Sequence, residues 1–403
     1  MKILLLCKKF PYPLKDGESI AVHTLSLALS QLGCEVSLLA MNTSKHFYQK
    51  AELPKEAAHF ERIRTVPVDN RIKPQAAFLN LFSKESYHIA RFVSPAYEQA
   101  LRQMLREEQY DVVQLETLYL APYVETVRRY SQARISMRAH NVEHEIWERI
   151  TSHTSNVVKR WYLKHLTDKL RHFELNALQQ YDMLLPITDR DLRHFRQVGY
   201  KKPAVVTPIG IRAEEFQEAR PLTTTKPSIS FIGSLDWMPN IEGLNWFIQK
   251  VWPALNKAFP ELEFHIAGRN TPKSLLQLKR PNIHVHGEVP ESAPFIDQHC
   301  MMVVPLLSGS GMRAKILEGM GLGKVVVSTS IGLEGISATH KKDVLVANTV
   351  DQFVDGVAYA LHSTERLNQM AQQAQAFVFE QYESVNIAKR VMQAYSSQFA
   401  ESV

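Results

Sequence analysis

The sequence predicts an α/β protein built from two doubly wound, Rossmann-like domains. Its 403 residues are about twice the length of an ordinary domain. Short apolar runs alternate with longer amphipathic segments from end to end, and this alternation is typical of parallel sheets covered by helices on both faces. The patterning stops once, over residues 212–226, where Pro221 and Thr223–Thr225 stand in a polar stretch. We therefore expect a domain boundary there.

Each half of the chain contains six candidate strands. In the first half the apolar runs are 2–7, 35–41, 111–115, 134–139, 182–187 and 204–207. In the second half they are 228–233, 262–267, 283–286, 301–306, 324–328 and 343–346. Helical spacing of apolar residues marks the longer segments between them, chiefly 20–32, 96–108, 156–178, 241–259 and 312–322. The predicted domains are 1–211 and 226–383, and the last helix, 384–403, is left open between them, with packing back on the first domain as one alternative.

Composition excludes several classes of protein. Apolar residues make up 45% and charged residues 22% of the chain, which is ordinary for a globular protein and excludes a disordered or fibrous one. The net charge of +6 permits an anionic partner without identifying it. Cys7, Cys34 and Cys300 are too few and too far apart for a disulfide framework or a zinc site. Such sparse cysteine usage favours a reducing compartment.

The N-terminal apolar run is too short for a secretory signal. It spans residues 3–7 and is closed by Lys8 and Lys9, whereas a signal peptide needs about 7–15 apolar residues. No other run approaches the roughly 18 apolar residues of a membrane span. We expect a cytoplasmic protein that is held, at most, on the inner face of the membrane.

Familiar phosphate-binding motifs are absent from the sequence. The first strand runs into Lys8-Lys9-Phe10-Pro11 rather than a Gly-x-Gly-x-x-Gly turn, and no P-loop occurs anywhere. This argues against a dehydrogenase and against a P-loop NTPase. In doubly wound sheets ligands bind beyond the carboxyl ends of the strands, so the loops after each strand are the places to search.

The loop after the strand at 301–306 is the most informative of these. A small-residue turn, Ser308–Gly311, leads into the helix predicted at 312–322. Free N–H groups at a helix start bind phosphate, and glycines let it approach the backbone closely. Arg313 and Lys315 stand in the first turn, where cations oppose the helix dipole. A bound anion between them would resolve that conflict; the alternative is a simple loop and cap with solvated charges.

Glu318 lies on the same predicted helix, three residues after Lys315. That spacing permits a salt bridge between the two side chains. The other interpretation is a carboxylate that accepts hydrogen bonds from sugar hydroxyls, as acidic residues do with a ribose.

These residues resemble the donor site of the family-four retaining glycosyltransferases, which have the two-domain GT-B fold. The resemblance is to a branch with Gly-Ser-Gly-x-Arg-x-Lys-Ile-Leu-Glu in this helix, here residues 309–318. Further matching turns follow the same order along the chain: Arg138–Glu145, Phe231–Asn240, Ala267–Asn270 and His286–Pro290. The resemblance implies two domains facing each other across a cleft, the first on the acceptor side and the second binding a nucleotide sugar.

The resemblance also implies roles for individual donor-side residues. Gly311 and Met312 would offer backbone N–H groups to the donor diphosphate, and Glu318 would hold the ribose. The turn Gly287–Val289, with Glu288 at its centre, would meet the nucleobase, and Arg269 would line that pocket. The remaining donor-side positions of the motifs are Gly233, Ser234 and Ser310.

On the acceptor side, His140 ends a predicted strand and would face the transferred sugar as a catalytic residue; without the resemblance, a structural histidine is the simpler interpretation. Asn141 follows it in the same motif. Gly17 and Glu18 belong to a turn that resembles the family's glycine-bearing loop, although such residues are also ordinary in turns. Glu116 is a further candidate for contact with the acceptor. No cofactor and no metal ion are expected, because His140 and His144 alone do not make a metal site.

This sequence departs from the family at three places. Ser310 replaces the first of two glutamates that are commonly separated by seven residues, the second being Glu318 here. Ser234 and Asn240 occupy the stretch where many members carry Arg and Lys, and residues 208–210 read Pro-Ile-Gly instead of Pro-Asn-Gly. A diphosphate leaving group needs positive charge. We therefore interpret Arg313 and Lys315 as catalytic cations that replace the missing pair.

The acceptor is poorly specified by the sequence. Segment 156–178 combines apolar residues at helical spacing with several cations, and Phe78–Phe82 is also apolar. Both suit a lipid-linked acceptor or a peripheral contact with an anionic membrane, although a core-facing stripe is the commoner meaning of such a pattern. The expected function is transfer of a sugar from a nucleotide donor to a carbohydrate or lipid-linked acceptor hydroxyl, with retention of configuration, in cell-surface polysaccharide or glycolipid synthesis.

Three other functions remain open. A nucleotide-sugar epimerase of similar architecture would alter the donor without an acceptor. A non-catalytic nucleotide-sugar-binding protein would explain the absent glutamate. Nucleic-acid binding is disfavoured, because acidic residues are interspersed among the cations almost throughout.

Overall fold

The computed structural model describes residues 1–14, 16–48, 53–216, 221–222, 226–309 and 311–400. The chain divides into two compact units. The N-terminal unit comprises Met1–Gly210 with Ser384–Val403, and the C-terminal unit comprises Ile211–Glu383. Part of the predicted boundary segment, residues 217–220 and 223–225, lies outside the described residues.

The N-terminal unit is built on a six-stranded parallel sheet in the order β3-β2-β1-β4-β5-β6. Its strands are β1 (Lys2–Cys7), β2 (Glu35–Thr43), β3 (Arg62–Val68), β4 (Val112–Leu115), β5 (Arg134–Ala139) and β6 (Met183–Pro186). The helices of this unit that precede Gly210 are α1 (Gly17–Gln31), α2 (Pro74–Leu79), α3 (Tyr87–Ala90), α4 (Pro95–Glu107), α5 (Val124–Tyr130), α6 (Glu143–Ser152), α7 (Val157–Leu178) and α8 (Asp189–Gln197). Short 3-10 turns add Ser44–His46, Lys55–Ala57, Asn80–Phe82 and Leu118–Tyr123.

Two strand predictions for this unit need correction. Strand β3 escaped the sequence analysis because it is an edge strand with alternating polar residues and a proline, Pro67, which only an edge tolerates. The strand predicted at 204–207 is wrong, since only Ala204 forms an isolated bridge, to Leu184. The segment runs beside β6, and the N–H groups of Val205 and Thr207 donate to the carbonyls of Leu184 and Pro186. Pro186 has no N–H to donate in return, so the ladder is interrupted there.

The C-terminal unit repeats the architecture with the strand order β12-β11-β10-β7-β8-β9. Its strands are β7 (Ser228–Ile232), β8 (Glu263–Ala267), β9 (Ile283–Gly287), β10 (Met301–Val304), β11 (Val325–Ser328) and β12 (Leu345–Val346). Its helices are α9 (Met238–Trp246), α10 (Trp252–Ala258), α11 (Lys273–Leu276), α12 (Ser292–Asp297), α13 (Ala314–Gly321), α14 (Val350–Leu361) and α15 (Thr364–Tyr382). A 3-10 turn at Ala213–Glu215 precedes them, and a π-helical turn, Phe247–Val251, joins α9 to α10.

The last helix, α16 (Ser384–Ala400), packs on the N-terminal unit. Ile387 and Val391 join a buried cluster with β1 and α1. Deeper in, the hydroxyl of Tyr395 donates a hydrogen bond of 2.6 Å to Gln114 Oε1 on β4 and lies 2.8 Å from the hydroxyl of Ser136 on β5. This helix therefore covers one face of the first sheet.

Both faces of the N-terminal sheet are buried, as the unbroken apolar runs predict. Along β1, Ile3 and Leu5 enter one hydrophobic cluster, whereas Leu4 and Leu6 enter another. Alternate side chains of a strand point to opposite faces, so a strand covered on both sides is apolar throughout. The three cysteines are buried in the reduced form, and among the described residues we find no helix with the length and apolar character of a bilayer span.

Each sheet has one point at which the chain reverses its direction of winding. In the N-terminal unit it lies between β1 and β4, and in the C-terminal unit between β7 and β10. Loops diverge at such a point and leave a crevice at the carboxyl ends of the strands, where ligands of this fold class bind. The loops that follow β7 and β10 are the ones that the sequence singled out.

Candidate functional site

The loop between β10 and α13 is shaped by two glycines. Gly309 and Gly311 have φ values of 113° and 83°, a region that other residues rarely adopt. A Cβ on Gly309 would also fall 2.6 Å from Nη2 of Arg313 and 3.3 Å from the ring of Trp237. Ser310 lies outside the described residues. The backbone of the loop at Gly309 thus packs closely against the guanidinium group of Arg313.

Arg313 lies just before the helix rather than within its first turn, where the sequence analysis placed it. Helix α13 begins at Ala314, and Arg313 is its N-cap with an extended backbone, rather than a first-turn residue. Its guanidinium lies 5.0 Å from the centroid of the Trp237 ring and is largely buried. Met312, just before it, is also buried. Lys315 remains in the first turn.

Lys315 occupies the switch point of the C-terminal sheet. Its Nζ donates hydrogen bonds to the carbonyl oxygen of Ile232 at 3.0 Å and to Oδ1 of Asn240 at 3.1 Å. A Cβ added to Gly233 would lie 3.0 Å from the same Nζ, so this glycine makes room for the amine. Burial, together with the positive charge of Arg313, lowers the pKa of Lys315 from 10.5 to about 7.

Glu318, one turn further along α13, has a different partner from the one that its spacing allows. The hydroxyl of Ser292 on α12 donates to Glu318 Oε1. Burial raises the pKa of this carboxyl above its usual range. Both Lys315 and Glu318 are described, and their side chains bond to other groups, so the predicted alternative of a Lys315–Glu318 salt bridge is not formed.

The turns after β7, β8 and β9 pack backbone against backbone. The N–H of Gly233 donates to the carbonyl of Ala267 at 3.2 Å, and that of Gly268 donates to Gly287 at 2.7 Å. A Cβ on Gly268 would lie 2.0 Å from the carbonyl oxygen of Gly233, so no larger residue fits. Gly287 has a φ of 73°. Three of the loops predicted to bind the donor therefore lie side by side.

The polar residues of these turns surround the glycines. Ser234 donates to Oδ1 of Asp236 at 2.6 Å, and its carbonyl accepts from Asn240 at 2.9 Å. Arg269 and Glu288 are exposed, and Val289 is half-buried. Apart from Ser310, which is not described, the predicted donor-side residues follow β7, β8, β9 and β10, four neighbouring strands of one sheet.

His140 in the N-terminal unit is held by a buried carboxylate. It follows β5, and its Nε2 lies 2.8 Å from Oε2 of Glu116, which follows β4. Gln114 donates to Oε1 of Glu116, and Arg138 Nη1 lies 3.8 Å from Oε2 of the same carboxylate. Burial alone would raise the pKa of Glu116, but Arg138 and His140 outweigh it and hold the pKa below its usual range. The sequence analysis identified both Glu116 and His140 as candidates but did not predict that they are in contact.

The other acceptor-side candidates lie near helix starts. Asp16 caps α1 by accepting from the N–H of Ser19 at 3.0 Å, and Gly17 is the first helical residue. Glu18 forms a 3.0 Å ion pair with Lys8, which follows β1. Asn141 directly follows His140 and is partly exposed.

Several residues that shape these sites escaped the sequence analysis as functional candidates. Glu174 on α7 accepts the backbone N–H groups of Glu143 and His144, both at 3.0 Å, and lies 2.7 Å from Nδ1 of His144. It therefore caps the start of α6. Burial, together with the nearby negative charge of Glu174, raises the pKa of Glu143 to about 7. Ser292 was likewise missed, and Asn240 was noted only as a departure from the family pattern, since the partners of both residues lie far away in sequence.

Comparison with known proteins places these observations in context. Residues 226–363 match the family model described as glycosyl transferases group 1. A Klebsiella pneumoniae relative, an uncharacterized 44.6 kDa protein in the cps region, is 22% identical over 96% of this chain and 97% of its own length.

Solved structures with the same architecture cover nearly the whole chain. Sucrose-phosphate synthase from Thermosynechococcus elongatus superposes with a TM-score of 0.71 at 14% identity, over 100% of both chains. Anabaena HepE in complex with UDP-glucose gives 0.64 at 14% identity, over 98% of this chain and 100% of that one. The chain thus has the GT-B fold, as predicted, and the matched domain together with this fold supports a nucleotide-sugar glycosyltransferase.

Proposed function

We propose that the protein transfers a sugar from a nucleotide-sugar donor to an acceptor hydroxyl with retention of the anomeric configuration. The C-terminal unit would bind the donor, and the N-terminal unit would bind the acceptor and the transferred sugar. The group 1 domain at residues 226–363 supports the reaction class. The relative in a cps region supports a role in cell-surface polysaccharide or glycolipid synthesis.

The observation that carries this proposal is the position of Lys315. Its amine lies at the switch point between β7 and β10, beside Gly233 and in the first turn of α13. Within the described part of the chain, its hydrogen bonds go to a carbonyl and an amide oxygen and a second cation lies nearby, so its charge is poorly compensated electrostatically. A diphosphate would supply the missing negative charge. Helix α13 would add its N–H groups and the positive end of its dipole.

Asn240 links this arrangement to the departure from the family pattern. It stands in the stretch where many relatives carry cations, and here its side-chain oxygen accepts a hydrogen bond from Lys315. The cation is therefore supplied from α13 to a position beside the turn that follows β7. This contact supports the hypothesis that Arg313 and Lys315 replace the missing pair.

In this mechanism the chain contributes charge and positioning rather than a covalent intermediate. Lys315, Arg313 and the loop Gly309–Met312 would stabilise the negative charge that grows on the leaving diphosphate. Glu318, held by Ser292, would orient the ribose hydroxyls. His140, whose ring is held by Glu116, would contact the transferred sugar as the oxocarbenium-like centre forms. No step requires a metal ion.

The acceptor is proposed to be lipid-linked or carried at a membrane surface. The apolar patch formed by α2, the turn Asn80–Phe82 and the start of α7 exposes six large side chains, with exposures of 61% to 81%: Phe78, Leu79, Phe82, Val157, Val158 and Trp161. His165 Nε2 lies 3.3 Å from the carbonyl of Leu81 and Lys169 donates to that of Asn80, so α7 and the turn lie together. Exposed cations, Lys159, Arg160 and Lys164, suit an anionic lipid surface.

The reaction is tested by incubating the protein with nucleotide sugars, UDP-glucose first because HepE was solved with it. A new glycoside with the donor's anomeric configuration, identified by NMR of the product, is the expected result. Conversion of the donor alone into another sugar would favour an epimerase. Donor binding without transfer to any acceptor would favour a binding protein.

Membrane contact is tested separately by co-sedimentation with anionic vesicles at low salt. Trp161→Glu should reduce the bound fraction severalfold. The matched control is Leu276→Glu, which alters an apolar residue of the C-terminal unit that is 51% exposed. If the unaltered protein does not bind the vesicles, the proposed membrane contact is wrong, whereas the proposed donor site is not called into question.

A further inference from the structure

One region of the C-terminal sheet, on β8 and β9, collects metal-binding side chains. Strand register places His265 on β8 directly opposite His284 on β9. Glu263 precedes His265 by two positions, and His286 follows His284 by two, so the four side chains share one face of the sheet. No motif in the sequence indicates this cluster, because strand pairing rather than local spacing brings it together.

The distances within this cluster are close to those of a metal site. Nε2 of His265 lies 3.2 Å from Oε2 of Glu263, and Nε2 of His284 lies 3.9 Å from Oε1 of the same carboxylate. One ligand atom from each of the three residues lies within 4.8 Å of the others. Ligand atoms around tetrahedral Zn²⁺ are about 3.3 Å apart, given bonds of about 2.0–2.1 Å. Rotamer adjustments of about an ångström would therefore complete the site.

A second layer of contacts orients the central histidine. Nδ1 of His265 lies 3.0 Å from Nε2 of His286, so its other ring nitrogen is aimed at Glu263. A metal-bound imidazole usually donates its remaining N–H to such an acceptor, which fixes the ring and its tautomer. On the other side, the ring of His299 stacks against His265 at 4.3 Å. The arrangement holds His265 in an orientation suited to coordination.

The cluster is also accessible to an ion. The side chains of Glu263 and His284 are 53% and 47% exposed, and that of His265 is 16% exposed. Two imidazoles and one carboxylate are a ligand set typical of Zn²⁺ sites that keep an open position. Glu263 is the first residue of β8, whereas the donor loops follow the carboxyl ends of the strands.

We propose that Glu263, His265 and His284 bind one divalent metal ion of the Zn²⁺ class, with a fourth position open to water. The ion would tie the edge strand β9 to β8 and stabilise the C-terminal unit by mass action. It would take no part in sugar transfer, because its three ligands lie on β8 and β9, whereas the amine of Lys315 lies between β7 and β10. The proposal is therefore independent of the proposed reaction.

The experiment is calorimetric titration of the metal-free full chain with ZnCl₂. The unaltered protein should bind one Zn²⁺ per chain, and its thermal midpoint should rise on the order of 5 °C with the ion in excess. Glu263→Gln and His284→Ala should each weaken binding by at least tenfold. His362→Ala, which alters an exposed histidine of the same unit outside the cluster, is the matched control and should bind as the unaltered protein does.

Folding of the variants is checked without metal, by circular dichroism and by their thermal midpoints. Both substitutions alter half-exposed side chains, so we expect unchanged folding. The visible absorption of bound Co²⁺ would report tetrahedral coordination in the unaltered protein and be lost in the two variants. Absence of Zn²⁺ binding by the unaltered protein, or binding that neither variant weakens, would overturn the proposal.

Discussion

Replacing Lys315 by methionine removes the charge that the proposed mechanism uses most directly. Methionine keeps much of the length of the side chain and its contact with the ring of Phe231, which lies 4.9 Å from Nζ. A full charge about 4 Å from a phosphate oxygen contributes about 4 kcal/mol at an effective dielectric constant of about 20. That corresponds to roughly three orders of magnitude in rate. Because the pKa of Lys315 is about 7 before the donor binds, part of this gain is offset by proton uptake.

We therefore expect kcat/KM to fall by roughly 10²–10³ in Lys315→Met, with most of the loss in kcat, because negative charge grows on the diphosphate as it leaves. Adding Arg313→Ala should lower turnover further while the fold survives. The assay is the initial rate of sugar transfer over a range of donor concentrations up to saturation, which gives kcat and KM separately, with circular dichroism to verify folding. Lys257→Met, at an exposed position on α10, serves as the matched control. Turnover of the double variant within tenfold of the unaltered protein would show that these two cations do not stabilise the leaving diphosphate.

Three further predictions follow from the geometry. Above pH 7 Lys315 is mostly neutral, so donor binding should take up a proton, and the affinity should weaken by up to about tenfold per pH unit. Calorimetry in two buffers of different ionisation enthalpy measures the proton uptake, which Lys315→Met should abolish. Glu174→Ala should lower the free energy of unfolding by about 3 kcal/mol, because the buried acceptor of two backbone N–H groups is lost. The midpoint of thermal unfolding should fall by roughly 6–12 °C, and by less in Glu174→Gln. His140→Ala should lower kcat by about 10² while calorimetric donor affinity changes little.

The fold was largely predictable from the sequence because its signal is repetitive. Residues buried on both sides of a parallel sheet must be apolar, so β1 and β10 read as unbroken apolar runs. The signal failed where burial is one-sided. Strand β3 lies at an edge and alternates Arg62 and Arg64 with apolar residues. The run at 204–207 failed for a different reason: it is apolar, but Pro186 on the neighbouring strand has no N–H to donate to it.

The site was predictable only in part, because loops can be read from sequence but long-range contacts cannot. Glycines at 309, 311 and 287 mark turns that require positive φ, and all three were singled out. The partners of Lys315 and Glu318, in contrast, are Asn240 and Ser292, and nothing in local spacing indicates either pairing. For the same reason spacing suggested a Lys315–Glu318 salt bridge that the tertiary structure replaces.

Whether the donor diphosphate lies at Lys315 is decided by calorimetric binding of UDP-glucose and other nucleotide sugars to the unaltered protein and to Lys315→Met. We expect saturable binding of at least one nucleotide sugar, weakened by at least tenfold in this variant and unchanged in Lys257→Met. Equal affinity of the unaltered protein and Lys315→Met for a donor that is demonstrably transferred would contradict this expectation, because the diphosphate would then lie elsewhere.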